Sequence, residues 1–317
     1  MRIFFATDIH GSDVCWKKFI NAGEYYRADV LILGGDMTGK AVVPVVQETS
    51  GKWTARFLEQ DFTFLSREEV MKFQTIVANR GYYAFIVDRA EYDDIVGSPE
   101  AKSLINAIYE EKVIERIRGW LEWATEKIQR RPIPVFCCPG NDDFFGIDEV
   151  IREYPVITHG EGQIVPLSEG YRLLSMGWTS PTPWNTFREA SEEELGQKLE
   201  TLAQVSGSMD HVICNIHCPP YGSSIDEAPE LDENMRPKLA GNSLIPVGSK
   251  SVRVFLERYQ PLVSLHGHIH EGRGFKRIGK RTMAFNPGSQ YEQGVLLGAL
   301  VDVGGPKGIR QYSLTQG

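Results

Sequence analysis

At 317 residues and 42% hydrophobic, the chain is long enough to bury a large core, and layered α/β folds of this length often form one domain. Its net charge of −8, from 34 basic and 42 acidic residues, argues against a broad footprint for long nucleic acid but leaves room for a small phosphate ester held by metal or local basic groups. No apolar run approaches the roughly 18–20 residues of a membrane span, Met1 leads straight into the strand-like RIFFAT, and five cysteines without a CxxC pair predict a reduced, cytoplasmic setting.

The first predicted strand is RIFFATD, followed by a helix from about Ser12 to Ala22. DVLILGGD reads as a second strand, apolar throughout and so buried on both faces. AVVPVVQETSGKWTARF reads as a hairpin, because two β-rich runs flank the polar turn ETSGK. Residues 66–80 and about 99–130 carry helical periodicity, and Pro132 and Pro134 close that region. PIPVFCCPGN is the third strong strand, and shorter ones follow in VITHG, GQIVPLS and YRLLSMG. SEEELGQKLETLAQV opens with Ser191 as N-cap and Glu194 at the capping-box position. HVICNIH is a buried strand, KSVRVFLERY a short helix and PLVSLHGHIH another strand; the tail from about Phe275 to Leu314 is β-rich. The pattern predicts a single α/β domain over residues 1–317, with one large excursion, residues 41–130, as a hairpin-and-helix insert that overhangs a strand-end site or else extends the fold's cover or a dimer surface.

Five of these strands end in polar chemistry. RIFFAT runs into Asp8 and His10, DVLILGG into Asp36, PVFCCPG into Asn141, Asp142 and Asp143, HVICN into His217, and LVSLHG into His268 and His270. Each piece alone is also a turn or a cap: Asn141–Asp143 would serve to cap a helix starting near Phe144. A His-x-His pair in a strand places both imidazoles on one face. Polar groups at the carboxyl ends of strands in α/β proteins commonly converge on one crevice. Asp8, His10, Asp36, Asn141, His217, His268 and His270 are therefore expected to form a metal site of nitrogen and oxygen donors, suited to Mn, Fe, Zn, Ni or Co. Seven ligands exceed the need of one ion and suffice for two divalent ions roughly 3.5–4 Å apart, a pairing that supports hydrolysis.

The ordered blocks DIH at 8–10, GGD at 34–36, GND at 140–142, HCPP at 217–220 and GHIH at 267–270 resemble the calcineurin-like metallophosphoesterase superfamily. The resemblance implies a four-layer α/β/β/α sandwich. It also implies that Asp8, His10 and His270 hold one metal, that Asn141, His217 and His268 hold the other, that Asp36 bridges them, and that a metal-bridging hydroxide attacks phosphorus. In that family a His often follows the Gly-Asn of the third block and serves as proton donor; here Asp142 stands there, and Asp143 after it keeps the family's acidic position and is expected to be a supporting acid of the catalytic set that orients neighbouring groups. Three readings follow: Asp142 is itself the acid, a metal-bound water or another side chain (His159 or His266 among them) takes the role, or the site binds metal with little turnover. Lys40, just past Asp36, and the loop GWTSPTPWNTFRE at 177–189, with Trp184 and Arg188, are candidate contacts for substrate phosphate and for a base or sugar. The expected activity is phosphodiester hydrolysis on a small phosphate ester, with a non-catalytic metal-binding scaffold that acts through protein partners as the alternative.

Overall fold

The computed structural model describes residues 1–233, 236, 238, 244–304 and 308–317. In chain order, β1 (Arg2–Ala6), α1 (Asp13–Tyr25) and β2 (Val30–Leu33) lead into β3 (Val42–Gln47), β4 (Trp53–Phe57), β5 (Gln60–Phe64), α2 (Arg67–Asn79), β6 (Tyr83–Asp88), α3 (Arg89–Gly97) and α4 (Ala101–Arg130). Then come β7 (Val135–Cys137), α5 (Gly146–Arg152), β8 (Ile157–His159), β9 (Gln163–Pro166), β10 (Arg172–Met176), α6 (Glu192–Ser206) and β11 (Val212–Ile216). The chain closes with β12 (Glu227–Pro229), β13 (Leu244–Pro246), α7 (Lys250–Tyr259), β14 (Val263–Leu265), β15 (Gly274–Ile278), β16 (Thr282–Asn286), β17 (Leu297–Val303) and β18 (Ile309–Gln316).

Two six-stranded sheets, ordered β18-β17-β1-β2-β7-β8 and β15-β16-β14-β11-β10-β9, face each other. Between them lies a core of Ile3, Phe5, Ile32, Phe136, Leu173, Ile213, Val263, Leu265 and Phe285. Helices α1, α4 and α5 cover the outer face of the first sheet, through Trp16, Phe19, Ile117, Leu121 and Ile147. Helices α6 and α7 cover the second, through Leu195, Leu199, Val252 and Phe255. This is the four-layer α/β/β/α sandwich. β2 shows why its sequence is apolar at every position: Leu31 and Leu33 enter the helix-side core, while Val30 and Ile32 enter the core between the sheets.

Strands β1, β2, β7 and β8 run parallel in one sheet, and β10, β11, β14 and β16 in the other. Their carboxyl ends lie along one edge of the sandwich, so every predicted metal ligand leaves its strand there. The strand expectation for His268 and His270 is corrected, because β14 stops at Leu265 and both lie in the loop beyond. Helix α6 carries the expected capping box between Ser191 and Glu194. Asn141, Asp142 and Asp143 cap no helix: α5 begins at Gly146 after Phe145, without a side-chain cap bond.

The excursion is more than a hairpin and helices. β3 and β4 form the expected hairpin, but β5 and β6 extend it to a four-stranded sheet ordered β5-β4-β3-β6. Val45, Phe57, Val70 and Phe73 pack one of its faces onto α2. β6 escapes pattern reading because no turn separates it from α3: Asp88 ends the strand, and its side chain accepts from Glu91 N to cap the helix. No helix among the described residues is long and apolar enough to cross a membrane.

Candidate metal centre

Past the ends of β1 and β2 the backbone leaves extended geometry at once. Asp8, His10, Asp36 and His268 have φ of 52°, 38°, 49° and 67°. Left-handed residues of this kind cost on the order of 1 kcal/mol or more each and persist where the surroundings enforce them. Enforcement is visible: Asp8 N donates to Gly35 O (3.0 Å), His10 N to Asp36 O (2.9 Å) and Gly11 N to Met37 O (2.7 Å), which zips the two ligand-bearing loops together. Gly35 has φ 140°, and a Cβ there would lie 2.3 Å from His217 Nδ1, so glycine is required for the imidazole to approach.

The side chains gather in groups with ligand atoms within 4.8 Å of one another: Asp8, His10 and His270; Asp36, His217 and His268; and His10, Asp36 and Asp142. Asp36 straddles the first two groups, with Oδ2 3.7 Å from His10 Nε2 and Oδ1 3.4 Å from His217 Nε2. Asp8 Oδ1 lies 3.5 Å from His270 Nε2 and 3.9 Å from His217 Nε2. Asn141 is flanked by residues that touch this cluster: a Cβ on Gly140 would lie 2.3 Å from Asp36 Oδ1 and 3.0 Å from His217 Nε2, and Asp142 N donates to Asp36 Oδ1 (3.0 Å).

Burial alone would raise the Asp8 and Asp36 carboxyls, but the His217 charge reverses this and holds both below the usual carboxylate range. Burial lowers His217 while Asp36 and Asp8 raise it more, to about 9. His268 is pushed down to about 4 by burial and by His217. Among the described residues, Asn141 Oδ1, His217 Nε2 and His10 Nδ1 are buried without a hydrogen-bond partner. Buried polar atoms are normally satisfied. Asn141 Oδ1 and His217 Nε2 are orphaned at this cluster, and His10 Nε2, which faces both carboxylates, meets only another imidazole nitrogen, His270 Nε2, at 3.0 Å; a cation would satisfy all of them, so the residues present fit divalent metal.

Residues 86–272 match the family described as Calcineurin-like phosphoesterase. The chain belongs to that family. The family is described as phosphoesterases, and the ligand groupings of this chain are of a kind that could hold metal ions. Uncharacterized protein MJ1162 of Methanocaldococcus jannaschii is 32% identical over 155 residues, which is 48% of this chain and 63% of that protein. The match thus spans less than two thirds of the relative's length. A solved crystal structure superposes with a TM-score of 0.56 at 15% identity, covering 99% of this chain and 98% of that one. TT1561 of Thermus thermophilus does so with a TM-score of 0.50 at 14% identity, covering 95% and 93%. These two structures share the fold of this phosphoesterase family member.

The two acids after Asn141 part company. Asp143 is fully buried and accepts from Met37 N (3.0 Å), Thr38 N (2.7 Å) and Gly140 N (2.7 Å). It binds the Asp36 loop to the Asn141 loop, a positioning role. Asp142 instead pairs with Lys40 and lies 3.7 Å from His10 Nδ1. Burial and the Asp36 charge push the Asp142 carboxyl up to about 6 against the pull of Lys40. Lys40 therefore meets a carboxylate of the site itself. Arg188, expected at substrate phosphate, is only 1% exposed and bonds Gly140 O, Asp143 O and Asp148. It is a buried brace for the Asn141 turn. Trp184 is 65% exposed at the tip of its loop. His159 bonds Asp148 (2.7 Å) and His266 bonds Ile216 O (2.7 Å), so both have structural partners.

Sequence reasoning missed the residues that hold the ligand loops from the insert. Tyr83 Oη accepts from Gly39 N (2.7 Å), and Tyr109 Oη donates to Gly39 O (2.7 Å). Arg116 donates to Gly11 O (2.9 Å), and Ser12 Oγ to Asn79 O (2.7 Å). No local pattern marks these residues, because each acts on a loop remote in sequence.

Proposed function

We propose that the protein is a dinuclear metal-dependent phosphohydrolase for small phosphate esters, with diesters favoured over monoesters. The observation that carries this reading is Asp36, whose two oxygens face His217 on one side and His10 on the other. Asp8, His10 and His270 would hold one ion, Asn141, His217 and His268 the second, and Asp36 both. Such a pair supplies an activated water and offsets charge at the phosphoryl group. The chain's own groups do the rest. Asp143 holds the Asp36 and Asn141 loops in register. Lys40 offers a cation at the rim, where it is paired with Asp142. A monoester dianion brings one more negative charge to Asp142 than a diester does, which favours the diester. Residues 41–130 act as a wall and brace for the site, through Tyr83, Tyr109 and Arg116. Five free, buried thiols suit a reducing compartment such as the cytoplasm.

The test is hydrolysis of bis(4-nitrophenyl) phosphate and 4-nitrophenyl phosphate with Mn²⁺ or Ni²⁺, for wild type and Asp36→Asn. Wild type is expected to turn over, faster on the diester, and Asp36→Asn to lose activity together with bound metal. Unchanged activity in Asp36→Asn sinks the dinuclear reading. Two bound ions without turnover on either ester would favour the scaffold alternative.

A further inference from the structure

An asparagine ligates a hard cation through its amide oxygen only, so a metal site built on Asn141 needs the right end of the amide turned inward. The loop at 177–189 holds the means. Asn141 Nδ2 donates to Thr186 Oγ1 (2.8 Å), and Thr186 Oγ1 donates to Glu189 Oε1 (2.6 Å). Glu189 also receives Thr186 N (2.8 Å), Thr182 N (2.9 Å) and Thr182 Oγ1 (2.6 Å), so it is a saturated acceptor inside its own loop. Thr186 has one hydroxyl proton, and an ionised Glu189 accepts and never donates. That proton is therefore committed to Glu189, and Thr186 faces Asn141 only as an acceptor. An acceptor demands the NH₂ end of the amide, which leaves Asn141 Oδ1 on the opposite side, where it is buried without a partner. Asp142 Oδ1, 3.3 Å from Asn141 Nδ2, is a second and longer acceptor on the same end. The backbone follows suit: Phe187 N donates to Asn141 O (2.9 Å), which locks the two loops together.

We propose that Thr186, polarised by Glu189, is the positioning residue that selects the metal-ligating orientation of the Asn141 amide. The role of the otherwise unexplained TSPTPWNTFRE loop is thereby to hold one of the two ions rather than to bind substrate through Arg188. This rests on the dinuclear reading above. Loss of a partner that orients a metal ligand typically weakens metal affinity about 10–100-fold.

The experiment is calorimetric titration of the metal-free protein with Mn²⁺, for wild type, Thr186→Val, Thr186→Ser, Thr186→Ala, Asn141→Asp and the Asn141→Asp/Thr186→Val double variant. Wild type and Thr186→Ser are expected to bind two ions alike. Thr186→Val is expected to bind one ion as wild type does and the other about 10–100-fold more weakly. Thr186→Ala, which removes the hydroxyl without placing a branched methyl against the amide, weakens the same ion and serves if Thr186→Val folds poorly. A carboxylate has two equivalent oxygens and needs no orienting partner, so Thr186→Val should cost nothing in the Asn141→Asp background. Two ions in wild type with unaltered affinity in Thr186→Val or Thr186→Ala overturns the assignment, as does an equal loss in the double variant. Fewer than two ions in wild type overturns the dinuclear reading instead.

Discussion

Replacing Asp143 by Asn separates a structural acid from a catalytic one. The Asp143 carboxylate is fully buried and accepts three backbone N–H groups, from Met37, Thr38 and Gly140. An amide has a single acceptor oxygen. If it serves Met37 and Gly140, as Oδ2 does now, the new NH₂ faces the Thr38 N–H. One charge-assisted bond is lost, about 1.5–3 kcal/mol, and a buried donor is stranded, about 1–3 kcal/mol. Against this, burial raises the Asp143 carboxyl and the Asp36 charge adds to it, so removing its charge recovers part of a desolvation cost. The net expectation is a destabilisation of about 2–4 kcal/mol. Urea unfolding of metal-free wild type and Asp143→Asn measures it, and Mn²⁺ titration of the same samples should show both ions weakened, because the Asp36 and Asn141 loops lose their common anchor. Stability within about 0.5 kcal/mol of wild type would refute the bookkeeping. Intact stability and intact metal binding with a collapsed kcat would refute the positioning role and make Asp143 a participant in the chemistry.

Tyr109→Phe removes the donor to Gly39 O and so loosens Lys40 from the insert side; a stability loss of about 1 kcal/mol and a raised KM are expected, with metal stoichiometry unchanged, and an unaltered KM counts against the insert as a brace. Asp142→Asn frees Lys40 from its ion pair, so inhibition by inorganic phosphate should strengthen and the ratio of monoester to diester turnover should rise; an unchanged ratio rules out charge at Asp142 as the source of selectivity. For Asp148, burial raises the carboxyl but the His159 hydrogen bond and the Arg188 charge lower it further, for a net depression. A depressed folded-state value contributes stability that is present above the unfolded value of about 3.9 and is lost as pH falls through the folded one. Asp148→Asn should therefore be less stable at neutral pH and flatter in acid, and parallel stability–pH curves for the two proteins would contradict this.

How much of the site could be read in advance depended on range. Asp8, Asp36 and Asn141 each follow an apolar run within a residue or three, so their strand-end positions are local information. The Ser191–Glu194 capping box is local for the same reason. β6 has no local mark of its end, because Asp88 is at once its last residue and the cap of α3, so the usual turn chemistry is absent. Arg188 has no local sign of burial, because an arginine in a polar, turn-rich loop looks solvent-facing; only the packing of that loop on the Asn141 turn buries it.

By itself the sequence determined the order of buried strands, the polar residue types at their ends and hence a nitrogen-and-oxygen donor set at one edge of an α/β fold. Hydropathy, capping and turn preferences act over a few residues, so they are written locally. The tertiary structure decided which donors share a group, that Asp36 faces both sides, that Lys40 meets Asp142, and which end of the Asn141 amide turns inward. Those outcomes depend on directional hydrogen bonds and charge pairs between segments far apart in sequence, such as Asn141 with Thr186 and Asp143 with Thr38. Bonds of that kind exist only once strands far apart in the chain have brought their ends together, within one sheet for Asp143 and Thr38 and across the two sheets for Asn141 and Thr186.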